Sequence, residues 1–372
     1  MVHRDLHQIT RGGICTVYRS LATQMAARGH RVTMITQQTP HPVSADPGVG
    51  IETLPRTEDL RAHRASVAKL LRQLEPDIVE CSTWEAEALT YLAEPVERRS
   101  PVLVRGEFSA TTLGAQELAA DEHQLVHMAD RTVAVSHWAA TDLAEAYGIR
   151  TPAVVYNGID RARFRPGPHC QPASGLRVTL DAAGELNNPV PIAELLQAGE
   201  LVPPFTTDPH GRTRLIWVGK ITPMKGWDLL EHLAVRLKDV AVITALLGHS
   251  HPLCPITNAS EQITVLHDLS DSDLPHLYRS ADWILSTSRW EGFGLALAEA
   301  IACGTPALMP EQLGTAPELL AAGGGLTYRD ADHLADILRG PTAPAGDLPD
   351  HFDWTINAEV TLAHYRQLID AS

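Results

Sequence analysis

Glu291-Gly292-Phe293-Gly294-Leu295-Ala296-Leu297-Ala298-Glu299 sets two carboxylates eight residues apart, one in a loop and one about a turn into the helix that follows. Gly292 and Gly294 lack a Cβ, so backbone N–H groups at this junction can approach a ligand closely. The partial positive charge of a helix start favours a phosphate there. A diphosphate seated at Gly292–Leu295 leaves Glu291 to one side and Glu299 to the other. Carboxylates beside a bound anion make chemical sense when they accept hydrogen bonds from sugar hydroxyls. The same residues also read as a plain loop-to-helix junction with ordinary acids around it, and the stretch alone does not choose.

Upstream, Trp217-Val218-Gly219-Lys220-Ile221-Thr222-Pro223-Met224-Lys225-Gly226 reads as a buried strand ending at Gly219, then a loop with two lysines before a helix. The chain has only four Lys against 26 Arg, so two in one loop stand out. Two cations at the carboxyl end of a parallel strand can neutralise a diphosphate leaving group. The alternative is a solvated turn. Further upstream, Arg11-Gly12-Gly13 opens the first helix and lets the backbone approach a ligand, although glycine pairs are common in turns. No Walker A motif and no GxGxxG after a strand is present, so the usual nucleoside-triphosphate and dinucleotide fingerprints are missing.

Around these loops, short β-branched runs alternate with amphipathic stretches, the pattern of layered α/β structure. Strands are expected near 31–36, 77–80, 102–105, 132–135 and 153–155, and again near 214–218, 240–247, 263–266, 283–286 and 306–308. At roughly 100–200 residues per domain, 372 residues suggest two domains. The expected division is a Rossmann-like acceptor-binding domain over 1–166, an interdomain segment or insertion over 167–213, and a Rossmann-like nucleotide-sugar domain over 214–350. A helix within 351–372 then packs back across the boundary. A parallel sheet calls for a strand ahead of Arg11, and only Met1–His7 precedes that loop, so the strand is short or the chain starts upstream of Met1.

The net charge of −15 repels a nucleic-acid backbone or an anionic membrane, and no apolar run reaches the length of a membrane span. Five well-separated cysteines form no disulfide framework and no CxxC pair. The expectation is a globular protein of a reducing compartment, cytoplasmic, without nucleic-acid partner or membrane insertion. No sequence feature sets an oligomeric state.

Taken together, these motifs resemble the GT-B glycosyltransferases, specifically the retaining family 4 (glycosyltransferase group 1) type. In the second half the likeness runs through Gly219-Lys220 with Lys225-Gly226, then Leu277–Asp282, Ser288–Gly294, Glu299-Ala300, Gly304-Thr305-Pro306 and Pro317-Glu318. In the first half it covers Gly12-Gly13, Ala129-Asp130 leading to Ser136, and Asn157-Gly158-Ile159-Asp160. The resemblance implies an α/β, GT-B fold with two Rossmann-like parallel-sheet domains facing across a cleft. It implies transfer of a sugar from a nucleoside diphosphate to a hydroxyl of a small polar acceptor, with retention and with neither metal nor other cofactor.

Residue by residue, the resemblance gives Glu291 the hydroxyls of the transferred sugar and Glu299 the ribose. Lys220 and Lys225 hold the diphosphate with backbone N–H groups at Gly292, Phe293, Gly294 and Leu295 and at Gly13, while Gly219 shapes the loop. The segment containing His267 and Leu269 falls where such proteins contact the base. Gly12, His7 and Arg105 are expected on the acceptor side.

Two positions depart from the family pattern. Lys220 stands where Arg is usual, which keeps the charge and loses the bidentate fork. After the strand at 102–104, where a His is typical, the chain has Arg105-Gly106-Glu107. Glu107 either orients the sugar or acceptor, pairs with an acceptor amine, or is a structural carboxylate bound to Arg105. With the acidic charge balance, the amine reading points to an aminocyclitol- or aminoglycoside-type acceptor, or another secondary metabolite. Other readings are a non-catalytic GT-B-like nucleotide-sugar-binding protein and a GT-B sugar-phosphate isomerase or phosphorylase. His123 with His127, and His249 and His251 with Cys254, have spacings that allow zinc, but the first lacks a zincin Glu and the second a fourth ligand.

Overall fold

Among the first 160 residues the β-branched runs become strands, and helices join most of them. The computed structural model describes residues 1–6, 13–39, 46–168, 177–179, 190–198, 202, 204–206, 208–247, 262–267, 269, 272–342 and 345–372. His7, Gly12, His249, His251 and Cys254 lie outside the described residues.

The chain forms two compact units, residues 1–158 with 350–372, and residues 159–349. In the first unit β1 (Val32–Gln37) pairs with β2 (Val49–Leu54), and β3 (Val79–Ser82), β4 (Val102–Gly106), β5 (Arg131–Ala134) and β6 (Ala153–Val154) follow side by side, all parallel. The short strand expected before the first helix reduces to Val2, which bridges in parallel to both Ile35 and Cys81. Its N–H donates to the Glu80 carbonyl at 2.9 Å, and the Met1 carbonyl accepts from Ile35 N–H at 2.8 Å. The chain thus starts between β1 and β3, builds outward to β2, then returns to the other side.

The second unit repeats this path on a larger scale. Its strands are β7 (Arg177–Thr179), β8 (Val190–Pro191), β9 (Thr213–Gly219), β10 (Ala241–Leu247), β11 (Ile263–His267), β12 (Trp283–Leu285), β13 (Ala307–Pro310) and β14 (Gly325–Tyr328), in sheet order β14-β13-β12-β9-β10-β11-β7-β8. The six strands β9 to β14 are parallel. Among residues 167–213, read from the sequence as an interdomain segment or insertion, β7 pairs antiparallel with the edge strand β11 and β8 with β7, so both extend the second sheet.

Each unit has its own core. In the second, Leu215, Trp217 and Ile243 of the sheet pack against Trp227, Leu230 and Leu233 of the helix Trp227–Leu237. In the first, Ala358, Leu362, Tyr365 and Leu368 of the last helix, Trp354–Ile369, join Leu6, Tyr18, Leu21 and Leu103. Burying a large apolar side chain stabilises by roughly 1.5–3 kcal/mol, so this stripe firmly attaches the C-terminal helix to the N-terminal sheet. Asp353 starts that helix, its Oδ1 accepting from Thr355 N–H at 2.6 Å. Among the described residues no helix is long and apolar enough to cross a membrane.

Candidate active site

In an open parallel sheet, ligands bind beyond the carboxyl ends of strands where the strand order reverses. In the second unit that point lies between β9 and β12: the chain runs from β9 out to β10 and β11, then crosses back to β12. The two strands are in parallel register, Leu215 opposite Trp283 and Ile216 opposite Ile284, so the loops leaving them emerge side by side. One carries Lys220 and Lys225, the other Glu291.

The two loops interlock. Lys225 Nζ donates to Glu291 Oε1 at 2.6 Å, and Ser288 Oγ donates to the same oxygen at 2.7 Å. Both partners of the ion pair are largely covered, with side chains 23% and 14% exposed. Underneath, Trp217 Nε1–H donates to Thr287 Oγ1 at 2.9 Å, and that hydroxyl donates to the Lys225 carbonyl at 2.9 Å. Arg289 N–H donates to the Met224 carbonyl at 2.9 Å, and the Arg289 guanidinium pairs with Asp228 at 2.7 Å. Gly226 is required where the loops touch: its φ is +66°, and a Cβ there would lie 2.1 Å from the Thr287 carbonyl oxygen.

The Glu291 loop turns into the helix Leu295–Ala302 through Gly294, whose φ of +85° places it in the left-handed region that glycine favours. Gly292 and Phe293 are buried beside it. Gly294, at the N-cap position, has no side chain of its own to cap this helix start. Glu299, one turn in, accepts from Tyr278 OH at 2.9 Å, and Tyr278 is itself fixed by Thr305 Oγ1, which donates to its carbonyl at 2.7 Å. Lys220 is half-buried just beyond β9. His267 ends β11, and Leu269 is buried two residues later. Gly219 ends β9, and Lys220, Lys225, Glu291, Glu299 and the Gly292–Leu295 backbone all occupy loops or the first turns of helices after the strands of the same sheet. Ser288, Thr287 and Tyr278, which hold this constellation, were not singled out from the sequence. Ser288 stands three residues before Glu291, and Tyr278 falls within the stretch 277–282 that carries the family likeness, but only the fold brings its hydroxyl to Glu299.

In the first unit the strand order reverses between Val2 and β3, and polar groups cluster there. Glu87 is fully buried and accepts from Arg4 N–H at 2.7 Å, while its oxygens lie 2.9 Å from His63 Nε2 and 3.3 Å from His3 Nδ1. Burial pushes the Glu87 carboxyl up, but the charges and hydrogen bonds of the two imidazoles outweigh it and hold the group at about 2. Gln37 Nε2 contacts His63 Nδ1 at 3.0 Å. Two residues earlier the chain takes φ of +62° at Glu85 and +48° at Ala86, unusual for residues other than glycine. Arg64 fixes this turn, its Nε and Nη2 donating to the Glu85 carbonyl at 2.9 and 2.5 Å.

Glu107 is half-buried after β4. The loop behind it is anchored by Asp142, whose carboxylate accepts from Ser109 N–H at 2.5 Å, and by Glu122, which accepts from Ala110 N–H at 3.0 Å. Arg105 corrects the sequence expectation. Its side chain is 2% exposed, Nε donates to Glu80 Oε1 at 2.7 Å and Nη2 donates to Thr361 Oγ1 at 3.0 Å. Tyr365 OH donates to the same carboxylate. Strand alternation turns Arg105 inward onto the last helix, so it is an interior ion pair rather than an acceptor contact, and its carboxylate is Glu80, not Glu107. Gly13 is exposed at the start of the helix Gly13–Ala27. His123 and His127 stack at 4.2 Å, His127 Nδ1 lies 2.8 Å from the His123 carbonyl, and no third ligand-type side chain joins them among the described residues.

Comparison with known proteins matches this geometry. The family described as "Glycosyltransferase Family 4" matches residues 11–163, and that described as "Glycosyl transferases group 1" matches residues 203–339. The D-inositol 3-phosphate glycosyltransferase of Mycobacterium tuberculosis is 28% identical over 419 residues, spanning 96% of this chain and 79% of that protein. Among solved structures, sucrose-phosphate synthase from Thermosynechococcus elongatus superposes with a TM-score of 0.75 at 17% identity, covering 100% of this chain and 98% of that one. The Anabaena protein HepE in complex with UDP and glucose gives 0.60 at 15% identity, covering 100% and 96%. These two likenesses speak to the fold. With both parallel-sheet units matched and the paired-glutamate junction in place, the chain belongs to the family 4 (group 1) glycosyltransferases of the GT-B fold.

Proposed function

We propose that this glycosyltransferase takes its sugar from a nucleoside diphosphate bound over β9 and β12, and moves it with retained anomeric configuration, without a metal, to a hydroxyl of a small polar acceptor. The observation that carries the reading is the Lys225–Glu291 bond at the strand-order reversal. An ammonium group has three donors, so one spent on Glu291 leaves two for diphosphate oxygens. Lys220 supplies a second cation in the same loop, and the helix that starts after Gly294 directs the positive end of its dipole there. Together these groups stabilise the charge that develops on the leaving diphosphate, the role a metal plays elsewhere.

In this reading Glu291, positioned by Ser288, accepts hydrogen bonds from the transferred sugar, and Glu299, positioned by Tyr278, accepts them from the ribose. The C1–oxygen bond to the diphosphate breaks as the acceptor oxygen bonds to the same face of C1. The departing phosphate oxygen takes the acceptor proton, so no protein nucleophile is needed. Glu107, on its anchored loop, faces the acceptor and favours an amine-bearing one such as an aminocyclitol.

The test is product analysis by proton NMR with each nucleotide sugar that binds, using acceptors that differ only in amine count. A glycoside with the donor's anomeric configuration, formed equally well in EDTA, supports the reading. An inverted product, free phosphate or an epimerised sugar contradicts it, and equal kcat/KM across the amine series removes the amine preference.

A further inference from the structure

The second unit has another concavity, lined by none of the residues assigned above to the donor. The segment 162–168 lies along the helix Leu274–Ser280, and together they enclose a pocket of about 480 Å³. Among the described residues its charged lining is cationic: Arg163, Arg165 and Arg279, with His276 beside them. That is unusual in a chain whose net charge is −15.

The arrangement is specific. Arg279 Nε donates to the Arg165 carbonyl at 2.9 Å, which fixes the guanidinium plane across the segment. Gly167 permits this close approach, since a Cβ there would lie 3.1 Å from Arg279 Cζ. Arg163 stacks over the Phe164 ring with its Cζ 4.6 Å from the centroid. Among the described residues no carboxylate pairs with Arg165 or Arg279. The buried Nδ1 of His276 has no hydrogen-bond partner. Gathered guanidinium groups repel one another unless an anion lies between them, and their planar forks match phosphate oxygens two at a time.

We propose that this pocket is an anion site for a phosphate-bearing small molecule carrying at least two negative charges, separate from the donor site. Arg165 and Arg279, with His276 beside them, set the charge of the ligand, and the volume admits a phosphorylated sugar. The ligand grips the helix that also carries Tyr278, whose hydroxyl holds Glu299.

The test is calorimetric titration of the full chain with inorganic pyrophosphate at low ionic strength. Lys225→Ala weakens pyrophosphate at the donor loop and isolates the second site. In that background, pyrophosphate still binds with one-to-one stoichiometry, and adding Arg165→Ala with Arg279→Ala lowers the affinity at least tenfold. Because Arg279→Ala also removes the bond to the Arg165 carbonyl, Arg165→Ala alone is the second variant: its side chain is exposed, and its loss lowers affinity about threefold or more with an unchanged melting temperature. Unchanged affinity in the arginine variants, or loss of all binding with Lys225→Ala alone, overturns the proposal. Citrate binding as tightly as pyrophosphate overturns the phosphate assignment.

Discussion

Lys225 and Glu291 are 66 residues apart in sequence and joined by a 2.6 Å bond between the loops that follow two adjacent parallel strands. The bond exists because β12 returns to the side of β9 opposite β10, which brings two distant loops together at the carboxyl ends of neighbouring strands. It places a cation and a carboxylate with spare bonding capacity where this fold class binds ligands.

If that cation stabilises the leaving diphosphate, Lys225→Ala lowers kcat by roughly 10²-fold or more, since the missing charge acts mainly in the transition state. Ser288 and the Arg289–Met224 backbone bond hold the loops without it, so the melting temperature changes little. Steady-state kinetics with saturating donor checks this, and full activity would place the phosphate elsewhere.

Gly226→Ala tests the interlock itself. A methyl group 2.1 Å from the Thr287 carbonyl forces the loops apart, and the left-handed φ of +66° adds strain. The expected cost is about 1–3 kcal/mol in stability, with loss of activity. Urea denaturation measures the first; a variant of wild-type stability and activity contradicts the close approach.

Arg105 is predicted to matter for folding alone. Arg105→Ala strands Glu80 in the interior, at a cost of about 3–5 kcal/mol. Arg105→Met with Glu80→Gln removes both charges and recovers part of that loss. The acceptor KM of the folded variant stays at the wild-type value; a raised KM with unchanged stability would return Arg105 to the acceptor side.

Glu87 makes stability depend on pH in two directions. Its carboxyl lies at about 2 against an ordinary 4.5, so its contribution is complete above 4.5 and is lost as the pH falls towards 2. Burial pushes the His3 imidazole down, but the Glu87 charge and hydrogen bond outweigh this and raise it above 6.5. Its contribution is complete below 6.5 and fades as the pH rises through the raised value. Glu87→Gln should therefore cost most stability between 4.5 and 6.5, and less on either side. Thermal melts of both proteins across pH measure the difference, and a constant difference contradicts the assignment.

Much of the second unit was legible because its signals are local. Lysines are rare in this chain, so Lys220 and Lys225 stood out, and two glycines between carboxylates marked the turn into a helix. β2 and β14 went unread: β2 sits at an edge with mixed exposure, and β14 begins at a glycine with φ of +147°. The Glu87 cluster was illegible for a different reason. His3, His63 and Glu87 share no period and meet only because Val2 bridges β1 and β3. Arg105 misled because an arginine after a strand invites a surface role, and Glu80, its partner, lies on the neighbouring strand.

The proposed donor site over β9 and β12 is tested most directly by thermal shift of the purified chain with UDP, GDP, ADP and dTDP, each with and without EDTA. One nucleotide is expected to raise the melting temperature, EDTA to leave the shift intact, and Lys225→Ala and Glu299→Ala to shrink it. No shift with any nucleotide, or one abolished by EDTA, would contradict a metal-free donor site built on Lys225 and Glu299.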